Sequence, residues 1–210
     1  MPRGTNCACT PYPNLTANGL ASHTGRTVKA TNDSVAGATT SSVRRQLNRR
    51  EVIAHLRAAE VVEIEIGAND VAYSRLCGTR VACYAPRIPR VRTNLARIVA
   101  RVHSLAAGRR ELIVLLDYWS VWLGGQFAAA KGHAYVAAAE EMTDRVNAVI
   151  RATATASRSA YVDLRAAFKG PSYAYDETHY LSDDGDHPNK AGHKKIATAT
   201  QTVIEKTLHI

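Results

Sequence analysis

At 210 residues the chain can close one sizeable hydrophobic core but hardly two. With 46% hydrophobic and 21% charged residues it is not a disordered chain, and no apolar run is long enough to cross a bilayer. A net charge of +9 invites a nucleic-acid partner. However, the arginines, among them Arg44, Arg50, Arg87, Arg92 and Arg110, read as scattered, with no aromatic-interleaved basic stripe. The expectation is therefore a solvated basic surface, at most weakly attracted to anionic polymers or envelopes, and no nucleic acid.

In chain order, residues 1–11 read as loop, and Tyr12-Pro13-Asn14-Leu15 opens a helix that Gly19 or Gly25 would end. Thr27–Asn32 is a short β-prone run. The small-residue loop Asn32–Thr40 then feeds a helical pattern through Val43, Leu47, Val52, Ile53 and Leu56. Val61–Ile66 reads as a strand ending on Gly67-Ala68-Asn69-Asp70. Its alternation puts Glu63 and Glu65 on one face, which suits a strand buried on both sides poorly.

A long helix follows over Arg90–Ala107, with an apolar stripe at Leu95, Ile98, Val99, Val102 and Leu105 and a stop at Gly108. Glu111–Asp117 has the look of a buried strand. Gly132–Ser157 is another amphipathic helix, Ala160–Leu164 a short strand, and a final helix carries Ile196, Thr200, Val203 and Ile204. Strands alternating with helices predict a three-layer α/β domain on a parallel sheet, with no repeats and no linker.

Cys77 and Cys83 flank a short loop and could close a disulfide, while Cys7 and Cys9 lie too close together for an easy mutual bond. Four cysteines permit three pairings, and their spacing is wrong for zinc. Disulfides hint at export, yet Met1-Pro-Arg-Gly begins no signal peptide.

Ser182-Asp-Asp-Gly-Asp-His-Pro-Asn189 carries the strongest chemical signal. Asp184 stands three residues before His187, so its carboxylate can reach the Nδ1–H of the ring and leave Nε2 free to take a proton from a hydroxyl. That is the base and orienter of a serine hydrolase. Pro188 suits the first position of the helix that follows, and a helix N-terminus beside His187 would favour the neutral ring. Gly67–Asp70 follows a strand and so sits at the carboxyl edge, where open α/β sheets bind ligands. Asn69 could donate its side-chain NH₂ to an oxyanion, and Asp70 would cap the local turn. Gly37 would let a backbone N–H approach the same oxyanion.

In this order and combination the motifs resemble those of the SGNH hydrolases, also called GDSL esterases and lipases. Asn32–Thr40 is similar to the family's second block, with its oxyanion glycine at Gly37. Gly67-Ala68-Asn69-Asp70 is similar to the third, with Asn69 as oxyanion donor. Asp184-Gly185-Asp186-His187-Pro188 is similar to the fifth, and Tyr12-Pro13 to the opening of the family's first helix. The cysteine-bearing loop after Asn69 resembles that of secreted actinobacterial members. The resemblance implies a flavodoxin-like sheet of order 2-1-3-4-5 and hydrolysis of carboxylic esters without metal or other cofactor.

One block is missing. The family's Gly-Asp-Ser, which carries the nucleophile at the end of the first strand, has no counterpart before Tyr12. Its nearest imitation is Asn32-Asp33-Ser34. Taking Ser34 as nucleophile would leave no second block before Asn69, so Ser34 ranks behind a serine lying upstream. In the 2-1-3-4-5 order the missing strand belongs between Thr27–Asn32 and Val61–Ile66. Each interior backbone group left unpaired would cost about 1–3 kcal/mol. The expectation is one SGNH-like domain over residues 1–210, N-terminally incomplete, whose leader, first strand and nucleophile precede Met1. It predicts an inactive piece of a secreted or cell-envelope monomer acting on a lipid, a short acyl ester or an acetylated saccharide.

The rival is a non-catalytic SGNH-like module holding a cell-wall or other anionic polymer, although such a module would not need the Asp184/His187 pair. A metal site at Asp184, Asp186, His187 and His193 is a distant third. Tyr118, Trp119 and Trp122 would either line an acyl or sugar pocket or pack on the core. The remaining histidines read as surface or packing residues.

Overall fold

A computed structural model describes residues 7–106 and 108–210. The loop expected over residues 1–6 and the expected last residue of the long helix, Ala107, lie outside the described residues. The first half contains helices α1 (Tyr12–Thr24), α2 (Thr40–Gln46) and α3 (Arg50–Ala58), strand β1 (Val61–Ile64), the single turn α4 (Val81–Tyr84) and α5 (Ile88–Ala106). Then follow β2 (Leu112–Leu116), α6 (Gly125–Ala129), α7 (His133–Ser157), β3 (Ala160–Val162), α8 (Leu164–Lys169) and α9 (Lys190–Leu208).

The described strands form one parallel sheet of order β1-β2-β3, with Val62 opposite Ile113 and Leu115 opposite Tyr161. β2 is central because it is apolar at every position, and alternation splits its side chains between the two faces. Ile113 and Leu115 join the core beneath α3, α5 and α7, with Leu95, Ile98, Met142 and Val146. Val114 and Leu116 join the core under α1, α8 and α9, with Tyr12, Phe168, Ile196 and Ile204. The fold is thus the three-layer α/β arrangement that the sequence predicts.

The apolar stripe of α5 is buried as expected, from Val91 through Leu95, Ile98, Val99 and Val102 to Leu105. Gly25 rather than Gly19 ends α1, adopting φ 68°. The single helical pattern expected from Val43 to Leu56 is two helices, with a break at Leu47–Arg49. Ala160–Leu164 is a strand only to Val162, because the Asp163 carboxylate accepts from the Ala166 N–H and starts α8. Pro188 is not in the first turn of α9. Asn189 is the cap, accepting from the Ala191 and Gly192 N–H groups at 2.8 and 3.0 Å. Pro188 instead bridges antiparallel to Leu181.

Thr27–Asn32, expected as a strand, is irregular. Among the described residues no strand runs beside it or along the outer edge of β1, so the run has no ladder to join. Side chains hold its end instead: Asn32 Oδ1 accepts from the Ser34 N–H at 3.0 Å, and Gln46 Nε2 donates to the Asp33 carbonyl. Both cysteine pairs are joined. The Cys77–Cys83 Cα atoms are 5.7 Å apart. Contrary to expectation, Cys7 and Cys9 also pair, because a turn with Cys9 N–H on the Cys7 carbonyl brings their Cα atoms to 5.2 Å.

Candidate active site

A cavity of about 1030 Å³ opens at the carboxyl edge of the sheet, where the chain leaves β1 and β2. Gly37, Asn69 and His187 all line it, as do Ser34 and Asp186, so segments about 150 positions apart in sequence share one cavity. Asp184 is not in the wall but stands directly behind His187, its Oδ2 2.7 Å from the ring Nδ1.

Local chemistry explains that pairing. Gly185 sits at φ 71° and closes the turn, and a Cβ there would lie 2.5 Å from Phe127 Cβ. The turn brings the Asp186 and His187 N–H groups onto Asp184 Oδ1 at 3.1 and 3.0 Å, leaving Oδ2 for the imidazole. Ser182 N–H donates to the His187 carbonyl at 2.8 Å, and Gly124 N–H to the Gly185 carbonyl at 2.8 Å, which ties the turn to the loop after β2. Burial alone would raise the Asp184 carboxyl. The backbone donors at 186 and 187 and the His187 ring outweigh it and hold the group below its usual range. Burial lifts Asp186 to about 6 against the pull of His187.

The opposite wall is braced by a polar network that the sequence reading missed. Asp70 does not cap its own turn as expected. Its Oδ2 accepts from the Thr40 N–H at 2.8 Å and its Oδ1 from the Thr40 hydroxyl at 2.6 Å, thirty residues away at the start of α2. Asn94 on α5 donates to Thr40 Oγ1 and to Ser41 Oγ, both at 3.0 Å, and Arg44 donates to Asn94 Oδ1 at 3.0 Å. The Gly37 loop and the Asn69 turn are therefore held as one unit. A polar residue on the buried side of α5, Asn94, was the available signal.

Glu63 and Glu65 now have a physical account. β1 is only four residues long, and the odd positions face the α1 side, where the cavity reaches Glu65 and Tyr12. Burial pushes Glu63 to about 8 with help from the charge of Glu65. Burial lifts Glu65 to about 7 although the Tyr12 hydroxyl donates to it. Asp117, at the end of β2, is also raised to about 7 by burial while it accepts from Leu164 N–H at 2.6 Å and from the Tyr161 hydroxyl.

These three acids hold protons that the unfolded chain releases near pH 4–5, so their contribution to stability is full below that range and is lost as pH rises toward 8. His193, buried on α9 and lowered to about 4 by burial, acts in the other direction, losing stability as pH falls from about 6.5. Because three acids outweigh one histidine, thermal melting is expected to show greatest stability near pH 4–5 and a midpoint that declines from there to about pH 8. Glu63→Gln should flatten that decline by a few degrees, since about 1 kcal/mol moves the midpoint by roughly 2–4 °C at this size. An unchanged decline would mean that Glu63 is already ionised in the fold.

The four side chains of the metal reading do not gather around one point. Among the described residues the group of potential ligands that does is Cys7, Cys9 and His193, and its two sulfurs are bonded to each other. Ser34 lies on an exposed turn, beside an Asp33 carboxylate 3.0 Å from His55 Nδ1. Tyr118, Trp119 and Trp122 all line the cavity, and the two tryptophans are also buried in the core. Trp122 also donates Nε1–H to the Val71 carbonyl at 2.8 Å.

The GDSL-like lipase/acylhydrolase family profile matches residues 3–195. The chain belongs to this family. Its members are carboxylic ester hydrolases. Comparison with curated proteins gives no match. Among solved structures, a catalytic mutant of an acetylxylan esterase from Geobacillus stearothermophilus superposes with a TM-score of 0.67 at 21% identity, covering 93% of this chain and 81% of that one. A lipase from a goat rumen metagenome superposes with a TM-score of 0.69 at 17% identity, covering 92% and 87%. At these identities the two likenesses establish the shared fold. Among the described residues no helix is long and apolar enough to cross a membrane.

Proposed function

We propose that this GDSL-like chain hydrolyses carboxylic esters with His187 as general base, Asp184 as its orienter, and the Gly37 N–H and Asn69 side chain as oxyanion donors. The observation that carries this reading is the Asp184–His187 contact at the edge of a cavity that Gly37 and Asn69 also line. A serine hydroxyl would give its proton to His187 Nε2 as it attacks the acyl carbonyl, and the imidazolium, held by Asp184, would return that proton to the leaving alcohol. Water activated by His187 would then release the acid.

The nucleophile is proposed to come from a segment N-terminal to these residues, seated along the free edge of β1. Two observations support this. That edge is unpaired among the described residues, and the cavity continues beside it to Tyr12 and Glu65. Ser120, a cavity serine near β2, has its hydroxyl oriented toward the Leu123 carbonyl at 3.3 Å. Ser→Ala and Asp→Ala variants of the Geobacillus esterase are catalytic mutants, which is consistent with a serine and an aspartate working together here. The disulfides suit an exported protein, and secretion is part of the proposal.

The test compares p-nitrophenyl acetate hydrolysis by residues 1–210 with that of the same chain extended by its upstream coding segment. Little turnover is expected from the first and robust turnover from the second. Full activity in the 210-residue chain, abolished by Ser34→Ala, would move the nucleophile to Ser34 and overturn the assignment of the Gly37 loop.

A further inference from the structure

The net positive charge of this chain falls in one segment, although no basic stripe marks it. Residues 40–110 hold fourteen arginines, no lysine and five carboxylates, a net of +9 equal to that of the whole chain, while the remaining residues carry thirteen of each sign. Of the five carboxylates, Glu63 and Glu65 are drawn into the protein and raised by burial, and Asp70 is engaged by Thr40. None of the ion pairs among the described residues includes an arginine of this segment, whereas Arg145, Arg151, Arg165 and Lys169 are all paired elsewhere.

Placement sharpens the point. Helices α3 and α5 each lead through a short connection into a parallel strand, so their N-termini lie at the carboxyl edge of the sheet, the edge at which the cavity opens. Arg49 and Arg50 begin α3 and Arg90 and Arg92 stand early in α5, all exposed. A cation at a helix N-terminus opposes the helix dipole, so these side chains do nothing for the helices that carry them.

The same rim carries apolar side chains without cover. Leu76 is 88% exposed, Val35 52% and Tyr73 43%. Val35 and Tyr73 line the cavity, and Leu76 extends from the same loop as Tyr73, between Arg75 and Arg80. An isolated exposed leucine means little, but an apolar tip set among guanidinium groups that pair with no carboxylate matches the headgroup region of a charged bilayer. Guanidinium forks bind phosphate oxygens bidentately, and the all-arginine composition suits that partner.

We propose that the rim formed by loop 71–80 and the N-termini of α3 and α5 docks on an anionic phospholipid surface, with Leu76 inserted between headgroups and the cavity mouth facing the bilayer. This docking does not depend on the catalytic assignment, because it requires no turnover.

Co-sedimentation of the 210-residue chain with vesicles of equal phosphatidylglycerol and phosphatidylcholine should show binding that weakens steeply with salt. Binding to pure phosphatidylcholine should be at least about ten-fold weaker. Arg90→Gln with Arg92→Gln should weaken binding about thirty-fold, near five-fold for each arginine at an anionic leaflet. Leu76→Ser should weaken it about ten-fold at fixed charge. All three positions are exposed, and an unchanged melting curve would confirm that the variants fold. Equal binding to both kinds of vesicle would overturn the proposal. So would a Leu76→Ser variant that binds as before while soluble polygalacturonate competes fully, since that outcome points to a dissolved polyanion.

Discussion

In the catalytically competent enzyme, His187→Ala is expected to lower kcat/KM by at least about 10³-fold, a loss of some 4 kcal/mol of transition-state stabilisation. The reason is positional. His187 lines the cavity and its Nδ1 is engaged by Asp184, so its Nε2 is the atom proposed to move the proton between nucleophile and leaving group. Asp184→Asn should cause a loss of similar order, because the amide cannot hold the same tautomer, although its oxygen could still accept from the backbone at 186 and 187. The loss should fall on kcat far more than on KM. Ester hydrolysis followed by initial rates decides the matter, and a His187→Ala enzyme within ten-fold of the parent would remove this residue from the mechanism.

Asn69→Ala should cost about 10²–10³-fold in kcat with little change in KM, because an oxyanion donor acts on charge that develops only in the transition state. The backbone beneath Asn69 is fixed independently of its side chain by the Asp70–Thr40 contacts, so the variant should melt with the parent. Asp70→Ala makes a useful contrast. It would free the Thr40 N–H and hydroxyl and loosen the Gly37 loop from the Asn69 turn, so stability and activity should fall together. Equal kinetics for parent and Asn69→Ala enzymes would place the oxyanion elsewhere in the cavity.

Much of this site was legible because its chemistry is local. Asp184 and His187 are joined by a turn of three residues with a glycine at its bend, and that contact needs nothing from the rest of the chain beyond room for Gly185 against Phe127. The buried stripe of α5 and the apolar run of β2 were legible for the same reason, since periodicity states which face is dry before any partner is known.

Other expectations failed where the outcome depends on a neighbour. Thr27–Asn32 has strand composition, but a strand requires a ladder and none runs beside it among the described residues. Asp70 was expected to serve its own turn and instead caps a helix that begins thirty residues earlier. The arginines looked dispersed because sequence order does not reveal that α3 and α5 present their N-termini at the same edge of one sheet.

The sequence alone determined the alternation of helices and strands, the identity of the Asp184/His187 pair, and the resemblance that led to the family. These follow from contacts within a few residues or from the repeat of apolar positions. Only the tertiary structure decided that Gly37, Asn69 and His187 share a cavity, that Glu65 lines it, and that Arg49, Arg50, Arg90 and Arg92 come to the same edge of the sheet. Those facts depend on which side chains from distant segments exclude water together, and burial of that kind exists only once the layers have closed.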